Sequence, residues 1–340
     1  MKYNHSKPNG IPDPFEKTDA NVKEKLPKGS EVTQLAQFGH SFWSQIGRLD
    51  VRLADGSPKS YLLKITPNDR GKGMSEGEFA SMSELHAVNP DFVPRPVAWG
   101  SYRDIPNTHF FLAEFLELID KLPEPEDLAR SLAGFHKSAE AASPSGKYGF
   151  HSTTWSGVVP RENEWCDTWE EYFTRELTHR LELEKDRHPL DVEMERLSKQ
   201  LLQKVVPRLL RPLTDHGSIR PVLLHGDLWD KNIAINAKTR KPVIFDAGCI
   251  YGHNEYEIGL WRSTRYNFSS EHINAYFRHF PPAEPREDFA DRGLLYSISM
   301  DLCASYVHQC GLPYQNLAKS TMRYLIGKYS GGYEEWLQKA

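Results

Sequence analysis

The sequence predicts an α+β fold in two lobes, a small antiparallel-sheet lobe with one helix and a larger, mainly helical lobe. Three observations predict it. Runs of β type crowd between Glu31 and Leu118, with a single helical stretch among them. Beyond Leu118, apolar residues recur at helical spacing over long segments. Two short β-type runs, each ending in aspartate, interrupt that helical part. The expected division is residues 1–28 as an N-terminal extension, 29–118 as the sheet lobe and 119–340 as the helical lobe.

Taken in order, residues 1–28 are dense in Pro, Lys, Asn and Gly, with little to bury. VTQLAQFG, SQIGRLDVRLADG and KSYLLKITP then read as strands, with Ala54-Asp55-Gly56 as a hairpin turn. SEGEFASMSELHAV is helical, with Phe79, Met82 and Leu85 on one face. PRPVAWGSYR and THFFLAEFLEL read as two further strands, and residues 111–117 as the hinge between lobes. EDLARSLAGFHKSAEAA, TWEEYFTRELTHRLELEKD and DVEMERLSKQLLQKVVPRLL are amphipathic helices punctuated by Pro189 and Pro212. RPVLLHGD and KPVIFDAG are the two interrupting strands, and helices fill the chain from Glu255 onward.

Composition narrows the class. A net charge of -4 lacks the basic excess of a dedicated nucleic-acid binder. No apolar run approaches the roughly 20 residues of a membrane helix, and the polar N-terminus MKYNHSKPNGIPDPFEK has no signal-peptide character. Cys166, Cys249, Cys303 and Cys310 are too scattered for a disulfide framework or zinc site. The expectation is a cytoplasmic protein with reduced thiols, binding neither nucleic acid nor membrane.

The chemistry concentrates in His225-Gly226-Asp227-Leu228-Trp229-Asp230-Lys231-Asn232, followed by Val243-Ile244-Phe245-Asp246. Phosphoryl transfer from ATP is mostly positioning and charge neutralisation, so it needs few protein groups. One carboxylate must orient the attacking hydroxyl, and hard oxygen donors must hold Mg²⁺. In an H-x-D-x-x-x-x-N loop, Asp227 is the expected base and Asn232 a metal ligand; Asp246 on the next strand is the second. Two buried strands ending in Asp by chance is the bland alternative, and the combined spacing disfavours it.

The sheet lobe supplies a matching half. Lys64, flanked by apolar residues in YLLKI, suits a phosphate-binding strand lysine, with Glu78 as its helix partner and Glu76 as the alternative. Taken alone, Lys64 reads better as an edge-strand lysine that blunts aggregation. Gly39, His40, Ser41 and Phe42 lie where backbone N–H groups would cover the phosphates, although an ordinary hairpin turn fits the segment equally. Glu114, Phe115 and Leu116 fall where a hinge would meet the adenine ring through main-chain groups.

HGDLW ending in Asn232, IFDAG, YGHNEYEIGLW and SGKYGFH together resemble the fructosamine kinase (ketosamine-3-kinase) family, from about Glu31 onward. That family belongs to the aminoglycoside-phosphotransferase branch of the protein-kinase-like fold. The resemblance implies phosphorylation, at the C3 hydroxyl, of fructosamine or ribulosamine adducts on amines or protein lysines, which then detach. It implies Trp229 against the sugar, with core packing as the alternative, and His253 and Glu257 as braces. Three departures stand out. Asp230-Lys231 replaces small residues and would place a charge pair by the γ-phosphate and substrate. Ala247-Gly248 replaces Pro-Ala. The phosphate loop lacks the cysteine that some members use for a redox-sensitive dimer, so a monomer without a thiol switch there is expected, with Cys249 a buried thiol.

Two other functions compete. One is a kinase of the aminoglycoside or choline type, since the acceptor pocket, expected around residues 146–165 and 255–262, is not readable from spacing. The other is a nucleotide-binding pseudokinase, which would have no need of Lys64, Asp227, Asn232 and Asp246 together.

Overall fold

The structure is a computed structural model describing residues 13–339, apart from 141, 142, 145, 216, 218, 264 and 309. A short helix α1 (Ala20–Lys23) precedes three antiparallel strands, β1 (Glu31–His40), β2 (Gln45–Arg52) and β3 (Pro58–Pro67). Helix α2 (Asp69–Val88) follows, then β4 (Pro96–Ser101), β5 (Thr108–Glu114) and the two-residue β6 (Leu118–Ile119). The sheet order is β1-β2-β3-β5-β4. Alternation along β3 sends Tyr61, Leu63 and Ile65 into a core on one face, while Lys64 lies buried outside that cluster.

The helical lobe starts with α3 (Pro125–Ala139), the small β7 (Trp155–Ser156) and β8 (Val159–Pro160), and α4 (Trp169–Arg187). Next come α5 (Val192–Gln200), a π-turn at Leu201–Val205, and α6 (Val206–Asp215). Strands β9 (Val222–Leu224), β10 (Ile233–Asn236), β11 (Pro242–Ile244) and β12 (Ile250–Gly252) carry the motif residues between them. The chain closes with α7 (Asn254–Gly259), α8 (Ser270–His279), α9 (Phe289–Val307), α10 (Leu312–Lys328) and α11 (Gly332–Lys339). Strand β9 pairs with β12, and β10 pairs with both β11 and β6. A single large core runs through this lobe and reaches up to Met82, Leu85, Phe92 and Phe111 of the sheet lobe. Among the described residues, no helix is long and apolar enough to cross a membrane.

Three elements differ from the sequence-based expectation. The segment expected to bury little instead docks on the sheet: Val22 and Leu26 are buried. Asp19 caps α1 and accepts from the backbone of Arg103 and Asp104. Two apolar side chains in a polar stretch are too few to register as periodicity. Helix α2 begins six residues before Ser75, because a Cβ at Gly71 would lie 2.5 Å from Thr66 O. The glycines that read as loop permit the helix to start against its own strand. Finally, α6 runs through Pro212 to Asp215 rather than stopping there.

Candidate active site

The motif residues converge where the lobes meet. Gly226 has φ +80°, a conformation that favours glycine, and a Cβ there would sit 2.1 Å from Gly248 O. Gly226 and the preceding histidine are pinned by Glu257, whose carboxylate accepts from His225 N (2.5 Å) and Gly226 N (3.1 Å). Burial lowers the His225 pKa to about 4, so the ring is neutral. Its Nε2–H then donates to Phe245 O at 2.9 Å, leaving Nδ1 to accept from Asp227 N at 3.3 Å. The loop is thereby tied to the strand that delivers Asp246.

Asp227 is half-buried at the end of this turn. Asn232 closes the loop, its Nδ2 donating to Asp227 O at 2.8 Å and lying 3.4 Å from both Asp227 Oδ2 and Asp246 O. Asp246 adopts φ +65°, uncommon outside glycine but tolerated best by Asn and Asp. Its carboxylate meets the Lys64 ammonium. Burial pushes the Asp227 carboxyl up to about 6, and the Asp246 charge adds to it.

Lys64 also donates to Glu78 Oε2 at 3.0 Å, whereas Glu76 is exposed, which decides between the two glutamates. Burial alone would favour the neutral amine, but the Asp246 and Glu78 carboxylates overcome it and hold Lys64 as the ammonium. The position of Glu78 is set by close packing of α2. A Cβ at Gly77 would fall 2.5 Å from Thr153 O, and one at Gly73 would fall 3.0 Å from the Trp155 ring.

Sequence patterns gave no sign of the foundation of the loop. Arg161 is buried, pairs with Glu176 and donates from Nη2 to Gly226 O at 2.5 Å. Arg180 donates to the same glutamate at 2.6 Å and to Ser299 O at 2.7 Å. No local pattern marks Arg161; its partners lie 15 and 65 residues away. Segment 146–165, expected at the acceptor pocket, makes bracing contacts: Thr154 donates to Cys249 O at 3.0 Å, and Trp155 packs on α2. His253 and Glu257 are both buried, and Cys249 is a buried thiol.

The remaining predicted residues divide. A Cβ at Gly39 would meet nothing within 4 Å. His40 ends β1, and its side chain lies outside the described residues. Ser41 N already donates to Ser44 O at 3.1 Å, an ordinary turn bond. Phe42 is exposed, with its ring 6.2 Å from that of His308. At the hinge, Glu114 N donates to Arg95 O (2.9 Å) and Phe115 N to Ser60 O (3.2 Å), so both groups are structural. The Phe115 ring contacts Phe38 at 4.9 Å and lies under the Arg48 guanidinium at 4.6 Å. Leu116 carries neither of these hinge bonds. Trp229 is half-buried against Tyr266, 5.8 Å between ring centroids. Asp230 is buried and accepts from Asn267 Nδ2 at 2.6 Å, while Lys231 reaches Asp120 at 3.4 Å. Among the described residues no ion pair joins Asp230 to Lys231; the expected charge pair is split.

Among the described residues, no cluster of three or more His, Cys, Asp and Glu could hold a metal unaided. The Asn232 amide and Asp246 carboxylate are nonetheless hard oxygen donors, and they fit a Mg²⁺ whose other ligands are phosphate oxygens and water.

The sequence model of the fructosamine kinase family matches residues 29–328. A protein-ribulosamine 3-kinase of Arabidopsis thaliana, described as chloroplastic, is 32% identical over 278 residues, covering 81% of this chain and 79% of that protein. A ketosamine-3-kinase of Mus musculus is 29% identical over 245 residues, covering 64% of this chain and 74% of that one. Among solved structures, a candidate fructosamine-3-kinase from Haemophilus somnus matches with TM-score 0.70 at 18% identity, over 90% of this chain and 96% of its own. The aminoglycoside phosphotransferase APH(4)-Ia, in a ternary complex with AMP-PNP and hygromycin B, matches with TM-score 0.59 at 14% identity, over 91% and 97%. These structures share the kinase-like, two-lobed α+β fold. With 29–328 inside the family's sequence model, the chain belongs to the fructosamine kinase family of ATP-dependent phosphotransferases.

Proposed function

We propose that the chain is a ketosamine 3-kinase that transfers the γ-phosphoryl group of ATP, with Mg²⁺, to the C3 hydroxyl of fructosamine or ribulosamine adducts, including those on protein lysines. The observation that carries it is the meeting of Lys64, Glu78, Asp227, Asn232 and Asp246 in one hydrogen-bonded cluster, from segments far apart in the chain. Lys64, steadied by Glu78, neutralises the α- and β-phosphates. Gly39 to Phe42 cover the phosphates, and the Leu116 main chain meets the adenine ring. Asn232 and Asp246 would hold Mg²⁺, which would supply charge neutralisation on the transferring group.

Asp227 orients the acceptor hydroxyl. As its oxygen bonds to the γ-phosphorus and the bond to the ADP oxygen breaks, the hydroxyl proton passes to the carboxylate. A carboxyl pushed up to about 6 is ionised at neutral pH, yet accepts that proton more readily than a solvent-exposed one. Trp229 offers an apolar face to sugar C–H groups. We further propose that the protein works as a cytoplasmic monomer.

The test is incubation with Mg-ATP and 1-deoxy-1-morpholinofructose or glycated lysine, with the product read by mass spectrometry. Transfer to a different alcohol and to no ketosamine would sink the substrate assignment. Asp227→Asn should lower kcat by about 10²- to 10⁴-fold with ATP affinity preserved. A rate within a few-fold of wild type would remove Asp227 from the role of base.

A further inference from the structure

Three successive residues of the catalytic loop are each held by one short segment after α7. Trp261 Nε1 donates to Leu228 O at 2.9 Å, Tyr266 packs on Trp229 and Asn267 donates to Asp230. Stacking of Trp261 on Phe268 at 4.5 Å closes this segment on itself. The catalytic loop therefore has a second wall, built from Trp261, Tyr266, Asn267 and Phe268.

From that wall a continuous line of rings and one guanidinium leads back to the phosphate-covering loop. The Trp229 and Tyr266 rings are 5.8 Å apart, and the Arg265 guanidinium lies 5.1 Å from Tyr266 and 4.9 Å from Tyr314. Tyr314 is 5.3 Å from His308, which is 6.2 Å from Phe42. Arg265 thus joins the two halves of this arc. Its Nη2 lies 3.0 Å from Asp301 Oδ1 on α9, with the Asp301 side chain 3% exposed. Its Nε donates to Ser263 at 3.0 Å.

We propose that the arc from Trp229 through Tyr266, Arg265, Tyr314 and His308 to Phe42 is the acceptor-specificity surface, with Asp301 as the residue that positions Arg265. This rests on the ketosamine kinase reading above. The arc begins at the residue that follows the base by two positions and ends at the loop assigned to the phosphates. It thus borders the space an acceptor must occupy. Its charges cancel. Arg265 is paired with Asp301, while Asp230, behind Trp229, is held in place by the Asn267 amide. Burial, then the Arg265 charge, lowers the His308 pKa and keeps that ring neutral. A net-neutral aromatic border suits the C–H faces of a sugar chain. The arc's one carboxylate, Asp301, is already paired with Arg265, so the arc offers a polycationic acceptor no free counter-charge, which is the basis for its exclusion.

The guanidinium plane matters more than its charge, because it stacks between two tyrosines. Arg265→Lys should therefore raise the KM for morpholinofructose at least ten-fold while moving the KM for ATP less than two-fold. Because a lone partner left behind would be a buried unpaired charge, the double variant Arg265→Met/Asp301→Leu provides a second route and should give the same split. A KM for morpholinofructose that stays within two-fold in both variants overturns the inference. So does a parallel rise in both KM values, which would mark general lobe closure. Wild-type turnover of kanamycin at the ketosamine rate overturns the exclusion. Wild type that binds ATP but phosphorylates no ketosamine overturns the functional reading, and this inference with it. Wild type that phosphorylates morpholinofructose while both variants keep its KM overturns the inference alone.

Discussion

At the scale of single residues, the site rests on two glycines facing each other. Gly226 needs its left-handed φ, and Gly248 needs only the absence of a side chain: a Cβ there would lie 2.2 Å from Trp155 O. The family resemblance leads one to expect alanine at 248, and that methyl would push Trp155 away from α2. Glycine is what lets segment 153–155 close over the strand that delivers Asp246. Gly248→Ala should cost about 1–3 kcal/mol as an overpacked core position, and it should lower kcat as well, because Gly248 N donates to His225 O at 3.0 Å, two residues before the proposed base Asp227. Thermal unfolding and steady-state kinetics check this; an unchanged melting temperature would contradict the packing argument. That Lys64, Asp227, Asn232 and Asp246 would come together could be read from sequence, because the pattern expected for phosphoryl transfer uses fixed residue types at short, fixed spacings. Arg161 could not. Its task, holding Gly226 O from across the fold, leaves no trace in its own neighbourhood.

At the scale of elements, helix α2 joins the sheet lobe to the catalytic machinery. One turn of it carries both Gly77, packed on Thr153 O, and Glu78, bonded to Lys64. A methyl at 77 must move either the helix or the 153–155 segment, and both support the same ion pair. Gly77→Ala should therefore raise the KM for ATP several-fold through loss of the Lys64 position, with a smaller effect on the acceptor KM. Kinetics in each substrate would show it, and equal changes in both would refute it. The helix was legible from Phe79, Met82 and Leu85, but its first turn was not. Gly71 and Gly73 look like loop residues in a sequence, and only the contacts with Thr66 O and Trp155 explain them as helix. Likewise Pro212 reads as a stop. The preceding π-turn and the packing of α6 on the large core instead carry the helix past it.

At the scale of the whole molecule, the large core is laced with buried titratable groups, and their protonation links stability to pH. His253 is fully buried, with Nδ1 2.9 Å from Tyr296 Oη and its ring against Trp169 at 6.4 Å. Burial lowers its pKa to about 4, with Glu255 and Arg292 acting in opposite directions. The folded state therefore resists protonation that the unfolded chain accepts near pH 6.5. A depressed pKa contributes stability that is complete above about 6.5 and is lost as pH falls towards about 4. Glu257, raised to about 7 chiefly by burial, works in the reverse sense, losing stability as pH rises. The total curve thus blends opposing contributions, and a single-group comparison isolates one of them. His253→Gln keeps a partner for Tyr296 and cannot take up a proton. Its stability deficit relative to wild type should shrink by about 2.4 kcal/mol between pH 7 and pH 4.5, at about 1.4 kcal/mol per pKa unit. Denaturant titrations of both proteins at the two pH values measure it. A deficit that stays constant would mean that His253 is protonated in the folded core, against the burial that encloses it.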